Sequence, residues 1–176
     1  MLKICFQAKL LKINSWTLLV LPKSASAKLP SRGMAMVEGT INSFQFQAPL
    51  EPDGKGSHWF RINNTLLETI GAHEGDTVEL ATEPTKEWPE PEVPEDLEGA
   101  LKTALQAHKL WIDITPMARW DWIRWIRATK EPETRKRRIT VACSKLNAGM
   151  RRPCCFNRSM CTEPYVSNNG VLCEPK

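Results

Sequence analysis

No apolar stretch in this 176-residue sequence approaches the ~18 residues of a membrane-spanning helix. Histidine is scarce: His58, His73 and His108 are the only three, and none stands in an HExxH, GxSxG or P-loop pattern. Those absences remove the common signatures of zinc hydrolysis, serine hydrolysis and nucleotide binding. The cysteines also lack the Cys-x2–4-Cys spacing that lets a tight turn aim two thiolates at one zinc ion. Neither sign of charge dominates, since the net charge of +4 is too small to imply a polyanionic partner by itself.

Hydrophobic residues make up 41% and charged residues 25%, the proportions of a chain that folds around a core. The charges are segregated. Glu68 to Glu98 holds eleven acidic side chains against Lys86 alone, whereas Arg119 to Arg158 holds twelve basic ones against Asp121, Glu131 and Glu133. Such a division suits either acidic and basic regions of one chain neutralising each other or a basic face meeting a polyanion. Near the N-terminus, Trp16–Leu21 followed by the small residues Ser24–Ala27 superficially resembles a secretion signal. The apolar run is too short and Pro22-Lys23 interrupts it, so a strand and turn is expected, in a cytoplasmic protein with reduced cysteines.

The punctuation of residues 1–81 predicts a small β-barrel of six strands: Lys3–Lys12, Thr17–Leu21, Ala35–Ile41, Phe44–Leu50, His58–Asn63 and Thr77–Thr82. Asn42-Ser43 suits a tight hairpin, and EPDGKGS at residues 51–57 suits another. Short helical connections are expected at Lys23–Leu29 and Asn64–Ile70. Residues 82–94 form an acidic, proline-rich linker, with Trp88 available to pin it to a neighbour. From residue 95 the apolar period becomes 3.6 and predicts three helices through residue 149. One carries Leu97, Leu101 and Leu105, one opens at Thr115-Pro116, and one runs from Glu131-Pro132 to Gly149. Residues 150–176 are read as an irregular cysteine-containing tail, completing an α+β chain.

Three sets of side chains are candidates for function. Trp59, Trp120 and Trp122 could face a ligand, and Arg124, Arg127, Arg135, Arg138, Arg151 and Arg152 could bind an anion or nucleic acid. The bland alternative is a helix buried on two sides, with arginines paired to acids of the same chain. Arg135 and Arg138 stand near the positive end of their helix dipole, so an anion should accompany them, from the acidic linker or from a phosphate-bearing partner. Cys143, Cys154, Cys155, Cys161 and Cys173 are the weakest set. They could converge on zinc, or act as thiols activated by Arg151, Arg152 and Arg158, but no cofactor is required by the pattern.

VPEDLEGALKTALQAHKLWIDITPMARWDWIRWIRATKEPETRKRRI, residues 93–139, resembles the bacterial YdeI/OmpD-associated family. The matching positions are Pro94, Asp96, Leu97, Ala100, Leu101, Trp125, Ile126, Ala128, Glu133, Thr134, Arg135, Arg138 and Ile139. Gly39–Asn42, Gly54–Phe60 and Gly71–Leu80 resemble the small-barrel domain of unknown function often fused to that family. The barrel is similar in architecture to the double-split barrels of AbrB-, MazE- and MraZ-like proteins, several of which bind DNA as dimers. The helical family carries names linked to bacteriocin protection and an outer-membrane porin, and implies no established reaction. The resemblance therefore implies a non-enzymatic binding or stress- and bacteriocin-protection-type protein, with a small ligand or protein as partner and a homodimer possible. The alternatives are a nucleic-acid-binding regulator and a thiol- or zinc-dependent activity of the tail.

Overall fold

The structure, a computed structural model, describes residues 3–154, Thr162 and Leu172. They form two compact units, residues 3–87 with Thr162 and Leu172, and residues 88–154. The fold is α+β. No helix among the described residues is long and apolar enough to cross a membrane.

The first unit is a curled, barrel-like sheet of seven strands in the order β1-β7-β4-β5-β6-β3-β2. The strands are β1 (Ile4–Lys9), β2 (Leu11–Ile13), β3 (Trp16–Val20), β4 (Ala35–Ile41), β5 (Phe44–Pro52), β6 (His58–Ile62) and β7 (Thr77–Pro84). The six expected strands become seven because Lys3–Lys12 is not one strand. At the buried Leu10 the chain changes partner, β1 pairing with β7 and β2 turning back on β3 through Asn14, which has a left-handed backbone. Consecutive segments thus occupy the two ends of the strand order, which is how the sheet curls toward closure.

Two-residue hairpin chemistry sets β4 against β5. Asn42 and Ser43 both have positive φ, as a type I′ turn requires, and Ile41 faces Phe44 in register. Gly39 lets β4 approach β7 closely, because a Cβ there would lie 1.9 Å from the Ala81 carbonyl oxygen. β5 spans the curl: its first seven residues pair with β4, and Glu51 and Pro52 pair with β6. Alternation sends Leu19, Phe60 and Ile62 inward to join Ile4, Leu10, Val37, Ile41, Leu50, Val78 and Leu80. Phe46 stacks on Phe60 with ring centroids 5.5 Å apart, while Phe44 stays exposed at the hairpin end. Two short helices bridge strands. These are α1 (Lys23–Ser26), shorter than the segment expected, and α2 (Asn64–Ile70), capped by the Asn63 side chain and ended by left-handed Gly71.

The second unit has four helices where three were expected: α3 (Glu95–Thr103), α4 (Leu105–Asp113), α5 (Pro116–Arg127) and α6 (Pro132–Asn147). The extra boundary lies at Ala104, which leaves helical geometry with φ −113° and ψ 81°. Leu97, Leu101, Ala107 and Trp111 continue one apolar face across it, so periodicity does not betray the break. The other boundaries carry ordinary signals. The Thr115 hydroxyl accepts the Ala118 N–H with Pro116 behind it, and Gly149 with positive φ ends α6. Trp122, Ile123, Ile126, Ile139, Ala142 and Leu146 complete this core.

Candidate functional site

Two groups of buried polar side chains have the composition of a functional site. In the first unit, β6 begins with His58, which is 1% exposed. Its Nε2–H donates to the Gly33 carbonyl at 2.8 Å, and the fully buried Ser26 hydroxyl donates to Nδ1 at 2.6 Å. Because a carbonyl can only accept, the neutral ring must carry its proton on Nε2. The guanidinium of Arg32 donates to the Ser26 and Leu29 carbonyls at the end of α1, and at 3.4 Å to the Ser26 hydroxyl. Beside His58, Asp53 organises the EPDGKGS turn by accepting the N–H groups of Lys55 and Ser57 at 2.8 and 2.9 Å. The Ser57 hydroxyl donates to the Leu21 carbonyl at 2.7 Å.

Burial pushes the His58 pKa below its ordinary value, and the nearby Arg32 charge acts in the same direction. The Gly33 bond and Asp53 oppose that shift without reversing it. Serine against imidazole is also the beginning of a nucleophilic site, but Ser26 has no exposed surface, so no acyl group reaches its Oγ in this conformation. The arrangement works as a polar latch: it fastens α1 and the Gly33 segment to the first residue of β6.

In the second unit the buried polar groups are charged and lie on α5. Arg119 donates through Nη1 to the carbonyls of Trp111, Ile112 and Ile114 at the end of α4, and through Nε and Nη2 to Glu90. Residues 88–94 lie along α5. Trp88 packs edge-on to Trp120 at 6.2 Å, and the Trp120 indole donates to the Pro89 carbonyl. Arg138 donates to the Trp125 carbonyl near the end of α5 at 2.7 Å, with its guanidinium over the Trp125 ring. Arg151 donates to the Asp113 carbonyl and carboxylate, again at the end of α4. Cationic donors thus meet the carbonyl ends of two helices, where the dipole favours them.

Residues 90–149 match the family described as bacteriocin-protection, YdeI or OmpD-associated. The helical unit carries a YdeI/OmpD-associated domain. Residues 6–81 match the domain of unknown function DUF1905, and no curated protein matches the chain. In the YdeI/OmpD-associated unit the matched region starts at Glu90, the partner of Arg119, and stops at Gly149. The DUF1905 region contains the whole Ser26–His58 latch.

The sequence-predicted residues fall into place unevenly. Arg135 binds Asp96 through two hydrogen bonds, at 2.7 and 3.1 Å, and these hold the Asp96 carboxyl below its usual pKa. The expected anion beside α6 is therefore the first turn of α3. Arg152 reaches the Met117 sulfur at 3.9 Å; Arg124 is buried and Arg127 lies at the end of α5. Trp122 is fully buried, its indole donating to the Arg151 carbonyl, so it presents no face to a ligand. Trp59 is buried too, on the outer face of β6. Cys143 is half-buried with its thiol pKa pushed up by burial, whereas Cys154 is exposed and accepts from the Lys145 ammonium at 3.2 Å. Cys155, Cys161 and Cys173 lie outside the described residues, and among the described residues no three His, Cys, Asp or Glu side chains group as metal ligands do. Sequence reasoning missed Ser26, Arg32 and Arg119 as organisers. The Ser57-His58 turn was readable, but its partner lies 32 residues away.

Proposed function

We propose that this protein acts by binding, as a protection-type protein against a toxic peptide, and not by catalysis. The observation that carries this reading is the state of the Ser26–His58 pair. Both His58 ring nitrogens are engaged, Ser26 is fully covered, and the pair's bonds fasten backbone segments together. The family description supplies the protective direction. The nucleic-acid alternative has less support, because Arg135, Arg138 and Arg151 each donate to a group of their own unit.

The test is survival of sensitive bacterial cells expressing the chain and challenged with a panel of purified peptide bacteriocins. Protection above empty-vector cells, retained by Ser26→Ala and by Cys154→Ser, is the expected result. Loss of protection in a folded Ser26→Ala protein would point to catalysis. Survival equal to empty-vector cells across the panel would end the protective reading.

A further inference from the structure

Residues 22–33, which include α1, pack on the core of the first unit without joining its sheet. Their backbone bonds are local: Ala25 and Ser26 donate to the Pro22 carbonyl, Ala27 to that of Lys23, Lys28 to Ala25 and Leu29 to Ser26. Arg32 adds donors to the Ser26 and Leu29 carbonyls, again inside the segment. Among the described residues, the hydrogen bonds that tie the segment to a strand end on the His58 ring, with Ser26 Oγ at 2.6 Å and the Gly33 carbonyl at 2.8 Å. Ala25 and Leu29 supply its apolar seat. Two apolar side chains and one imidazole hold less firmly than a ladder, so this segment opens before the strands do.

That imidazole can change from acceptor to donor. Nε2 already carries a proton, so an added one from solvent goes to Nδ1. Nδ1 then donates where it accepted, and the Ser26 hydroxyl must turn its own proton away from the ring. The Arg32 guanidinium also points a donor at Ser26 Oγ, at 3.4 Å. Two cations then share one buried hydroxyl oxygen. Burial opposes charge on the ring most and Arg32 adds to it, whereas the Gly33 carbonyl and Asp53, from the turn before β6, favour it. Lys23, Lys28 and Lys55, the other charges of these elements, are exposed. On β5, Pro52 pairs with His58, so Glu51 lies on the opposite face with Trp59. β3 leads into the neutral Leu21, whose N–H donates to the His58 carbonyl.

We propose that residues 22–33 are a lid worked by that proton. With His58 neutral the lid is closed; with His58 charged it lifts and uncovers the core surface under Ala25 and Leu29. This goes beyond the binding reading and stands without it.

Amide hydrogen exchange on the full chain tests the lid, with each rate divided by its intrinsic rate at the same pH. A His58 that regains its ordinary value near 6.5 when the lid opens makes opening up to about tenfold more frequent at pH 5.5 than at pH 7.5. That rise is expected at Ala25, Ser26, Ala27 and Leu29, and not at Val37, Ile41 and Val78 in the strands. His58→Gln, which has no proton to gain, should hold the ratio at one. Should that variant fail to fold, Arg32→Gln is read instead: removing the second cation should shrink the ratio, and a ratio that does not shrink overturns the proposal. A ratio of one in the wild-type chain overturns it as well. So does a rise shared equally by the strands, because the whole unit is then opening, and so does a rise that survives in folded His58→Gln.

Discussion

The two units bury polar groups in different ways. The barrel-like unit hides neutral groups, Ser26, Ser57 and His58, satisfied by backbone carbonyls and by each other, and the carboxylates of Glu51 and Asp53, the second of which accepts turn N–H groups. The helical unit hides guanidinium groups: Arg119 sits almost wholly inside, spread over three carbonyls and a carboxylate. Secondary structure explains the difference. A sheet consumes its backbone polar groups in the ladder, leaving isolated sites at strand ends and turns. A helix concentrates unpaired carbonyls at its C-terminus, and a guanidinium can serve several at once. The basic richness of residues 119–152 thus has a structural use before any partner is considered.

The comparison breaks most visibly at Arg119. Arg119→Ala leaves the carbonyls ending α4 without their donor and should destabilise the helical unit by about 3 kcal/mol, read by urea unfolding, with the barrel unit unchanged. Gly39→Val is the counterpart in the sheet, where the Cβ meets the Ala81 carbonyl at 1.9 Å. A loss of about 2–3 kcal/mol confined to the barrel unit is expected from forcing β4 away from β7. Ser26→Ala should cost about 1–2 kcal/mol by leaving His58 Nδ1 buried without its donor.

Acidification separates the units by pH window. The folded His58 pKa is lowered, so the unfolded chain takes up the proton first. The latch's contribution is complete above about pH 6.5 and declines as pH falls below it toward the folded pKa. Asp96 is also lowered, but from 3.8, so the Arg135 pair keeps its contribution until pH falls below about 4. Melting between pH 7 and 5 should therefore shift for the barrel unit and not for the helical one, and His58→Gln should flatten that slope. At half-exposed Asp96 the pair is worth little, so Arg135→Ala should cost no more than about 1 kcal/mol. The smallest effect is chemical. Iodoacetamide should alkylate Cys154, beside the Lys145 ammonium, faster than exposed Cys5, and Cys5 faster than Cys143. Lys145→Gln should bring Cys154 down to the rate of Cys5.

How much of this was legible beforehand differs between the units as well. Turn chemistry at Asn42-Ser43, the Thr115-Pro116 cap and the Gly149 stop were readable because each is local. The split at Leu10 and the break at Ala104 were not. No glycine or proline marks either one, and the apolar pattern runs straight through both. The Arg135–Arg138 step was visible as a demand for an anion. Asp96, which meets it, lies 39 residues upstream, and spacing cannot reveal such a pairing.

The partner change at Leu10 also sets a schedule for synthesis. The β2–β3 hairpin is local and can form as soon as it is made. β1 cannot, because Thr82, opposite Ile4, comes 78 residues later. Until β7 is made, β1 is a strand without a partner, and its Ile4, Phe6 and Ala8 have no core to enter. A pairing so distant in sequence is slow to form and leaves apolar surface exposed meanwhile. For the nascent chain, the vulnerable interval is therefore set by the length of chain separating β1 from β7.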